Sequence, residues 1–298
     1  MGVGHRIECD EIWDKAHEGF IGPGFTWKCW EYNPQTQDGL QARELIMSFV
    51  VAIPVFNEER HVRRVLDEVR RYADNIVVID DGSSDGTSRI LDEDKSLERV
   101  THPVNRGYGA ALISAFEYAI SQDVEVLITM DCDGQHEPAR IPVLLEAIDR
   151  ADIVSGSRYL RDFRQDNSAP EDRKRINSII TMELNKRYGL NITDAFCGFK
   201  AYRTHALRKL NIHETSWGMP LELWVQAAHL GLRIEEVAVP RLYLDPNRAF
   251  GGVLDDAARR LAYYRKVLVN AEQDLGWHGL DPQAPFSFDH LLTAEVSR

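Results

Sequence analysis

A chain of 298 residues with 47 acidic against 35 basic side chains carries a formal charge of −12, which argues against general nucleic-acid or anionic-membrane binding. The length suffices for one large α/β domain with extensions. Cys9, Cys29, Cys132 and Cys197 form no C-x-x-C pair or zinc spacing and read as free thiols of a reducing cytoplasm. No secretory leader and no apolar run near the roughly 20 residues of a membrane span is read, so a soluble or at most peripheral protein is expected.

Residues 1–47 mix Trp13, Trp27 and Trp30 with Gly22-Pro23-Gly24 and show no sustained period, which predicts an appended, partly ordered extension. From Ser48 apolar runs alternate with amphipathic stretches, the pattern of a mostly parallel sheet covered by helices. Strands are predicted over 49–55 and 76–80, with a helix between them that carries Val62, Val65, Leu66 and Val69 on one face. A short helix after Asp85, a weak strand over 99–102 and a helix over 110–121 lead to a strand over 124–130. A helix over 138–150 opening on Pro138 and a strand over 153–155 follow. The polar stretch 158–172 reads as a mobile flap. Helices over 173–188, 221–230 and 254–272, strands over 196–202 and 234–239, and a non-helical tail after Gly276 complete the reading. The expected division is 1–47 extension, 48–252 catalytic domain, and 253–298 C-terminal helix and tail.

Three predicted strands end in polar clusters, and in doubly wound sheets ligands sit beyond the carboxyl ends of strands. The most informative is Asp131-Cys-Asp133-Gly-Gln135-His136. In extended backbone Asp131, Asp133 and Gln135 project to one side, where their oxygens suit Mg2+ or Mn2+ with positions left open for phosphates. A solvated acidic turn is the competing reading. Pro54-Val-Phe56-Asn57-Glu58 offers a ring face and a carboxylate, or else a helix start capped by Asn57. Asp80-Asp81-Gly-Ser-Ser-Asp85-Gly-Thr87 can bind ribose or a base edge, or form only a turn and capped helix. Asn105-Arg-Gly-Tyr108-Gly lacks the third glycine of a dinucleotide fingerprint and reads as close packing at a helix start or backbone approach to a donor's phosphates.

Taken together, and with Gly156-Ser-Arg158-Tyr159, Asp194-Ala-Phe-Cys-Gly-Phe-Lys200 and Glu235-Glu-Val-Ala-Val-Pro240, these motifs resemble family 2 glycosyltransferases of the dolichol-phosphate mannose synthase-like branch. The resemblance spans about residues 50–252. It implies a GT-A fold, a nucleoside-diphosphate sugar donor and inversion at the anomeric carbon. Carried over by position, Pro54, Phe56, Glu58 and Asp81 hold the nucleoside, and Asp131, Asp133 and Gln135 hold metal and diphosphate. Arg158 lies near the transferred sugar or an acceptor phosphate, and Asp194 acts as base or orients the acceptor. Glu222 and His136 are weaker candidates for proton transfer.

One segment departs from the branch. Where its members carry an arginine-led stretch ending Gly-x-Ser-Lys, this chain has Asp245-Pro-Asn-Arg248-Ala-Phe-Gly251 without the Ser-Lys. The expected acceptor is therefore a polyprenyl phosphate or a small hydroxyl compound, with a catalytically silent nucleotide-sugar binder as the alternative. Basic and apolar residues share the helices 173–188 and 254–272, a pattern found at bilayer surfaces but more often in helices packed on a domain with charges toward water. The expected location is cytoplasmic, with peripheral contact at the membrane face as an option and a homo-oligomer left open.

Overall fold

The computed structural model describes residues 28–32, 40–44, 47–167, 169–244 and 250–280, and the chain divides into two compact units, Met1–Met47 and Ser48–Arg298. In the first unit β1 (Lys28–Tyr32) and β2 (Leu40–Glu44) pair antiparallel with Tyr32 opposite Leu40. The sequence reading had no strand here. Leu-Gln-Ala-Arg-Glu contains no β-branched or aromatic residue, so its extended form comes from pairing and not from propensity.

The second unit is built on a seven-stranded sheet. In chain order its elements are β3 (Phe49–Val55), α1 (Val62–Val69), β4 (Ile76–Asp80), α2 (Thr87–Asp92), β5 (Glu98–Thr101), α3 (Tyr108–Ser121) and β6 (Val126–Thr129). Then come α4 (Ile141–Ile148), β7 (Ile153–Ser157), α5 (Glu171–Tyr188), β8 (Lys200–Arg203), α6 (Thr204–Leu207), α7 (Met219–His229), β9 (Ile234–Ala238) and α8 (Ala257–Leu275). The sheet order is β5-β4-β3-β6-β8-β7-β9, parallel throughout except for β8, which runs against both neighbours. This is the mixed, mostly parallel α/β architecture expected from the sequence. Helices cover the sheet, so its central strands are apolar along their length and do not alternate: β3 is buried from Val50 to Val55 and β4 throughout.

Strand and helix ends differ from the sequence reading where tertiary contacts decide them. Residues 194–199 form turns and β8 starts only at Lys200, because the Asp194 carboxylate accepts the N–H of Phe196 (3.1 Å) and closes a local turn. The stretch read as a flap is cross-braced. Asn167 exchanges hydrogen bonds with Tyr243, Asp166 accepts the N–H of Arg241 (2.7 Å), and α5 begins at Glu171. In α5, Ile176, Ile179, Ile180 and Leu184 are buried, as are Leu261, Tyr264, Val267 and Leu268 of α8. Several of the basic residues expected to face water instead find acids on the opposite helix: Arg265 with Glu183 (2.6 Å), Arg187 with Glu272 and Arg260 with Asp172. These helices therefore present no apolar face of the kind that lies on a bilayer. Among the described residues no helix is long and apolar enough to cross a membrane.

Asp152, just before β7, ties the β9 edge to the sheet. It accepts the backbone N–H (2.9 Å), Nε and Nη2 (3.2 Å each) of Arg233 and bonds His205 Nε2 (3.2 Å). Hydrogen bonding from Arg233 is the main cause that brings its pKa down to about 2. An unfolded aspartate titrates near about 3.9, so the contribution is complete above that pH and is lost as pH falls toward the folded value. Asp152→Asn should cost about 1 kcal/mol at neutral pH. Thermal melts of the two proteins should differ at pH 7 and converge as the pH is lowered toward about 2.

Candidate active site

The loops after β3 and β4 brace each other. Asn57 takes a left-handed φ of 57°, which asparagine tolerates, and its Oδ1 accepts the N–H groups of Ser84 (2.8 Å) and Asp85 (3.3 Å). The Asn57 N–H donates to Ser83 Oγ (3.0 Å) and that of Glu58 to Thr87 Oγ1 (2.8 Å). Asn57 is thus a cross-brace between loops and does not cap α1, whose preceding residue is His61. The bracing leaves the Phe56 ring 43% exposed beside fully buried Val55, an aromatic face offered to a cavity.

The two carboxylates ending β4 separate in role. Asp80 is buried and accepts Ser83 N–H (3.0 Å) and Ser88 Oγ–H (2.6 Å), which closes the turn. Asp81 reaches the cavity, held by His102 Nδ1 (2.6 Å) and by the N–H groups of Arg106 (2.9 Å) and Gly107 (2.8 Å). His102 Nε2 in turn meets Ser114 Oγ at 2.9 Å, so the carboxylate fixes the tautomer with the proton on Nδ1.

β6 ends at Thr129, so strand alternation does not align Asp131, Asp133 and Gln135 as the sequence reading assumed. A turn does so: Gly134 adopts φ +76°, and Asp133 Oδ1 accepts the Gln135 N–H at 3.0 Å. All three line the cavity. Asp131 Oδ1 accepts Tyr108 O–H at 2.9 Å. Gly198 closes over the same carboxylate so tightly that a Cβ there would lie 2.7 Å from Oδ2 and 2.9 Å from Oδ1. Among the described residues no group of three or more His, Cys, Asp or Glu side chains is arranged to hold a metal. Two carboxylates and an amide oxygen form an all-oxygen donor set that suits a hard cation and leaves positions for phosphate oxygens. His136 accepts the Asp131 N–H on Nδ1 (3.0 Å), which leaves its proton on Nε2 and gives it the task of holding the turn.

Arg158 follows β7, two sheet spacings or about 10 Å from β6. Its Nε and Nη2 grip Asp194 Oδ2 (2.6 Å) and Oδ1 (2.9 Å), and Nη1 donates to Tyr243 O–H (3.2 Å). Asp194 is fully buried and lies behind Arg158, off the cavity lining. It also accepts Asn177 Nδ2 (3.0 Å) and the N–H groups of Phe196 (3.1 Å) and Arg158 (3.2 Å). Burial alone would raise its pKa, but the Arg158 charge and hydrogen bonds outweigh burial and lower it. Glu222 is likewise off the lining. Burial raises its pKa, and it is occupied by the N–H groups of His213 and Glu214 and by Gln226 Nε2.

The cavity measures 720 Å³ and gathers Pro54, Phe56, Glu58, Asp81, Asp131, Asp133, Gln135 and Arg158. Sequence reasoning missed much of its far wall. The guanidinium groups of Arg173 (4.9 Å) and Arg260 (4.5 Å) both lie over the Phe250 ring, and Trp217 stacks on Tyr108 at 5.0 Å. Arg260 belongs to a helix that looked like a packed or bilayer surface, and nothing in the local sequence sets it apart from its basic neighbours. Arg248 of the departing segment lies outside the described residues, whereas Gly251 lines the cavity.

Comparison with known proteins identifies the family. The model of Glycosyl transferase family 2 matches residues 50–210. The undecaprenyl-phosphate mannosyltransferase of Micrococcus luteus is 32% identical, over 71% of this chain and 91% of the relative. The polyprenol monophosphomannose synthase of Mycolicibacterium smegmatis is 30% identical, over 64% of this chain and 76% of the relative. Among solved structures, glucosyl-3-phosphoglycerate synthase from Mycobacterium tuberculosis, in complex with Mn2+, UDP and glucosyl-3-phosphoglycerate, superposes with a TM-score of 0.60 at 17% identity, covering 83% of this chain and 87% of that one. That likeness is one of fold. The chain belongs to the family 2 glycosyltransferases, in their dolichol-phosphate mannose synthase-like branch, and is a nucleotide-sugar-dependent glycosyltransferase.

Proposed function

We propose that the protein is a metal-dependent, inverting transferase that moves a hexose or N-acetylhexosamine from a nucleoside diphosphate to the phosphate of a polyprenyl carrier. One observation carries the choice of acceptor: none of the three candidate bases, Asp194, Glu222 and His136, lines the cavity, and Asp194 is saturated and acidified by Arg158. A hydroxyl nucleophile needs a base to take its proton, whereas a phosphate is already anionic at neutral pH. The names of the two relatives, an undecaprenyl-phosphate mannosyltransferase and a polyprenol monophosphomannose synthase, both join a carrier lipid, a phosphate and mannose, and point the same way.

In this reading Pro54, Phe56, Glu58 and Asp81 hold the nucleoside, while Asp131, Asp133 and Gln135 hold Mg2+ or Mn2+ together with the diphosphate. The cation, when bound, offsets the charge that develops on the departing diphosphate. Arg158 orients the acceptor. Asp194 and Tyr243 take three of its N–H groups, and since a guanidinium has about five, one remains on each terminal nitrogen for a phosphate oxygen. That oxygen attacks the anomeric carbon as the bond to the diphosphate breaks on the opposite side. The electron pair leaves with the diphosphate, and no proton has to move.

The test is a transfer assay with Mn2+ and a panel of UDP- and GDP-sugars, offering polyprenyl phosphate and the matching polyprenol. Product should form only with the phosphate. Transfer confined to the alcohol or to small hydroxyl compounds would overturn the acceptor assignment, and donor binding without transfer to anything would make the chain a silent nucleotide-sugar binder. Gly198→Ala probes the metal reading, because the added methyl would crowd the Asp131 carboxylate and the Tyr108 hydroxyl that holds it. Calorimetric titration with nucleoside diphosphate and Mn2+ should show affinity reduced roughly 10- to 100-fold. Unchanged binding would mean that Asp131 does not hold the cation.

A further inference from the structure

The start of α3 reaches both acidic ends of the site. Backbone N–H groups of Arg106 and Gly107 hold Asp81, and one residue later the Tyr108 hydroxyl holds Asp131 Oδ1 at 2.9 Å. We infer that Tyr108 is a positioning residue that fixes the Asp131 carboxylate for its cation, leaving Oδ2 as the oxygen to be offered. This rests on the metal reading proposed above and extends it to a side chain outside the acidic motif.

Two observations support it. The ring is locked: it stacks on Trp217 with centroids 5.0 Å apart and planes 15° from parallel, so the hydroxyl cannot swing away without breaking that stack. Gly198 lies against both partners at once, since a Cβ there would come within 2.7 Å of the Tyr108 hydroxyl as well as of Asp131 Oδ2. Asp131 therefore has little room to choose another rotamer. Partners that orient a ligand in this way typically change metal affinity by roughly 10- to 100-fold when removed.

Tyr108→Phe keeps the ring and its stack and removes only the hydroxyl. In the full chain without nucleotide, calorimetric titration with Mn2+ should show roughly 10- to 100-fold weaker binding. The unfolding midpoint in EDTA should stay within about 2 °C of the parent. Asp133→Ala is titrated alongside. If Asp133→Ala loses Mn2+ while Tyr108→Phe keeps it within about threefold, the metal reading stands and the inference about Tyr108 is overturned. If neither variant changes binding, the metal reading fails and the inference falls with it. An unfolding midpoint lowered by more than about 5 °C would make the hydroxyl a structural group and also overturn the inference.

Discussion

The paired hydrogen bonds between Arg158 and Asp194 are the contact around which the β7 side of the cavity is arranged. Asp194 is completely buried, and two guanidinium bonds, a side-chain amide and two backbone N–H groups take up its lone pairs. Breaking such a pair by removing one partner costs about 3 to 5 kcal/mol, because the other charge is left stranded in a low dielectric. The fold supplies the supports from distant parts of the chain: Asn177 from α5, Phe196 from the turn before β8, and Glu236 from β9, whose carboxylate accepts the Asp194 N–H at 3.1 Å. A guanidinium held this firmly has two consequences. It is always charged, and it holds the Asp194 carboxyl below its ordinary pKa in spite of burial.

Sheet order turns that contact into a division of labour. Adjacent β4, β3 and β6 end in Asp81, Glu58 and the Asp131–Asp133 pair, whereas Arg158 follows β7 on the far side of the antiparallel strand β8. Carboxylates that suit a sugar-nucleotide and its cation therefore lie on one side, and guanidinium groups suited to a second anion lie on the other, joined in a single cavity. Arg173 and Arg260, brought in by α5 and α8, line the same cavity and both contact the Phe250 ring. These two helices bring guanidinium groups to the cavity from the side opposite the strand ends' carboxylates.

How much of this could be read in advance depended on the range of the interaction. The ends of β3, β4 and β6 were legible because mostly apolar runs give way to polar residues at Asn57, Asp80 and Asp131, a local pattern. The acidic motif was legible too, but not its geometry: the three oxygen-bearing residues meet through a glycine turn, and a turn dihedral leaves no periodic trace. His102 and Tyr108 were overlooked because their importance is a contact with a carboxylate more than twenty residues away. Charges on α5 and α8 pointed toward water in the sequence reading because their acidic partners, such as Glu183 for Arg265, are 82 residues distant. Local chemistry predicted which residues gather at the strand ends, whereas long-range pairing decided which of them stay free to act.

The central claim is that Asp194 works by holding Arg158 and not by accepting a proton. The pH dependence of kcat/KM for the parent and for Asp194→Asn tests it most directly. The amide should lower the rate, roughly 100-fold if the guanidinium shifts by about an ångström, while the acidic limb of the profile keeps its midpoint. An acidic limb present in the parent and abolished in the variant would identify Asp194 as the base and contradict the account.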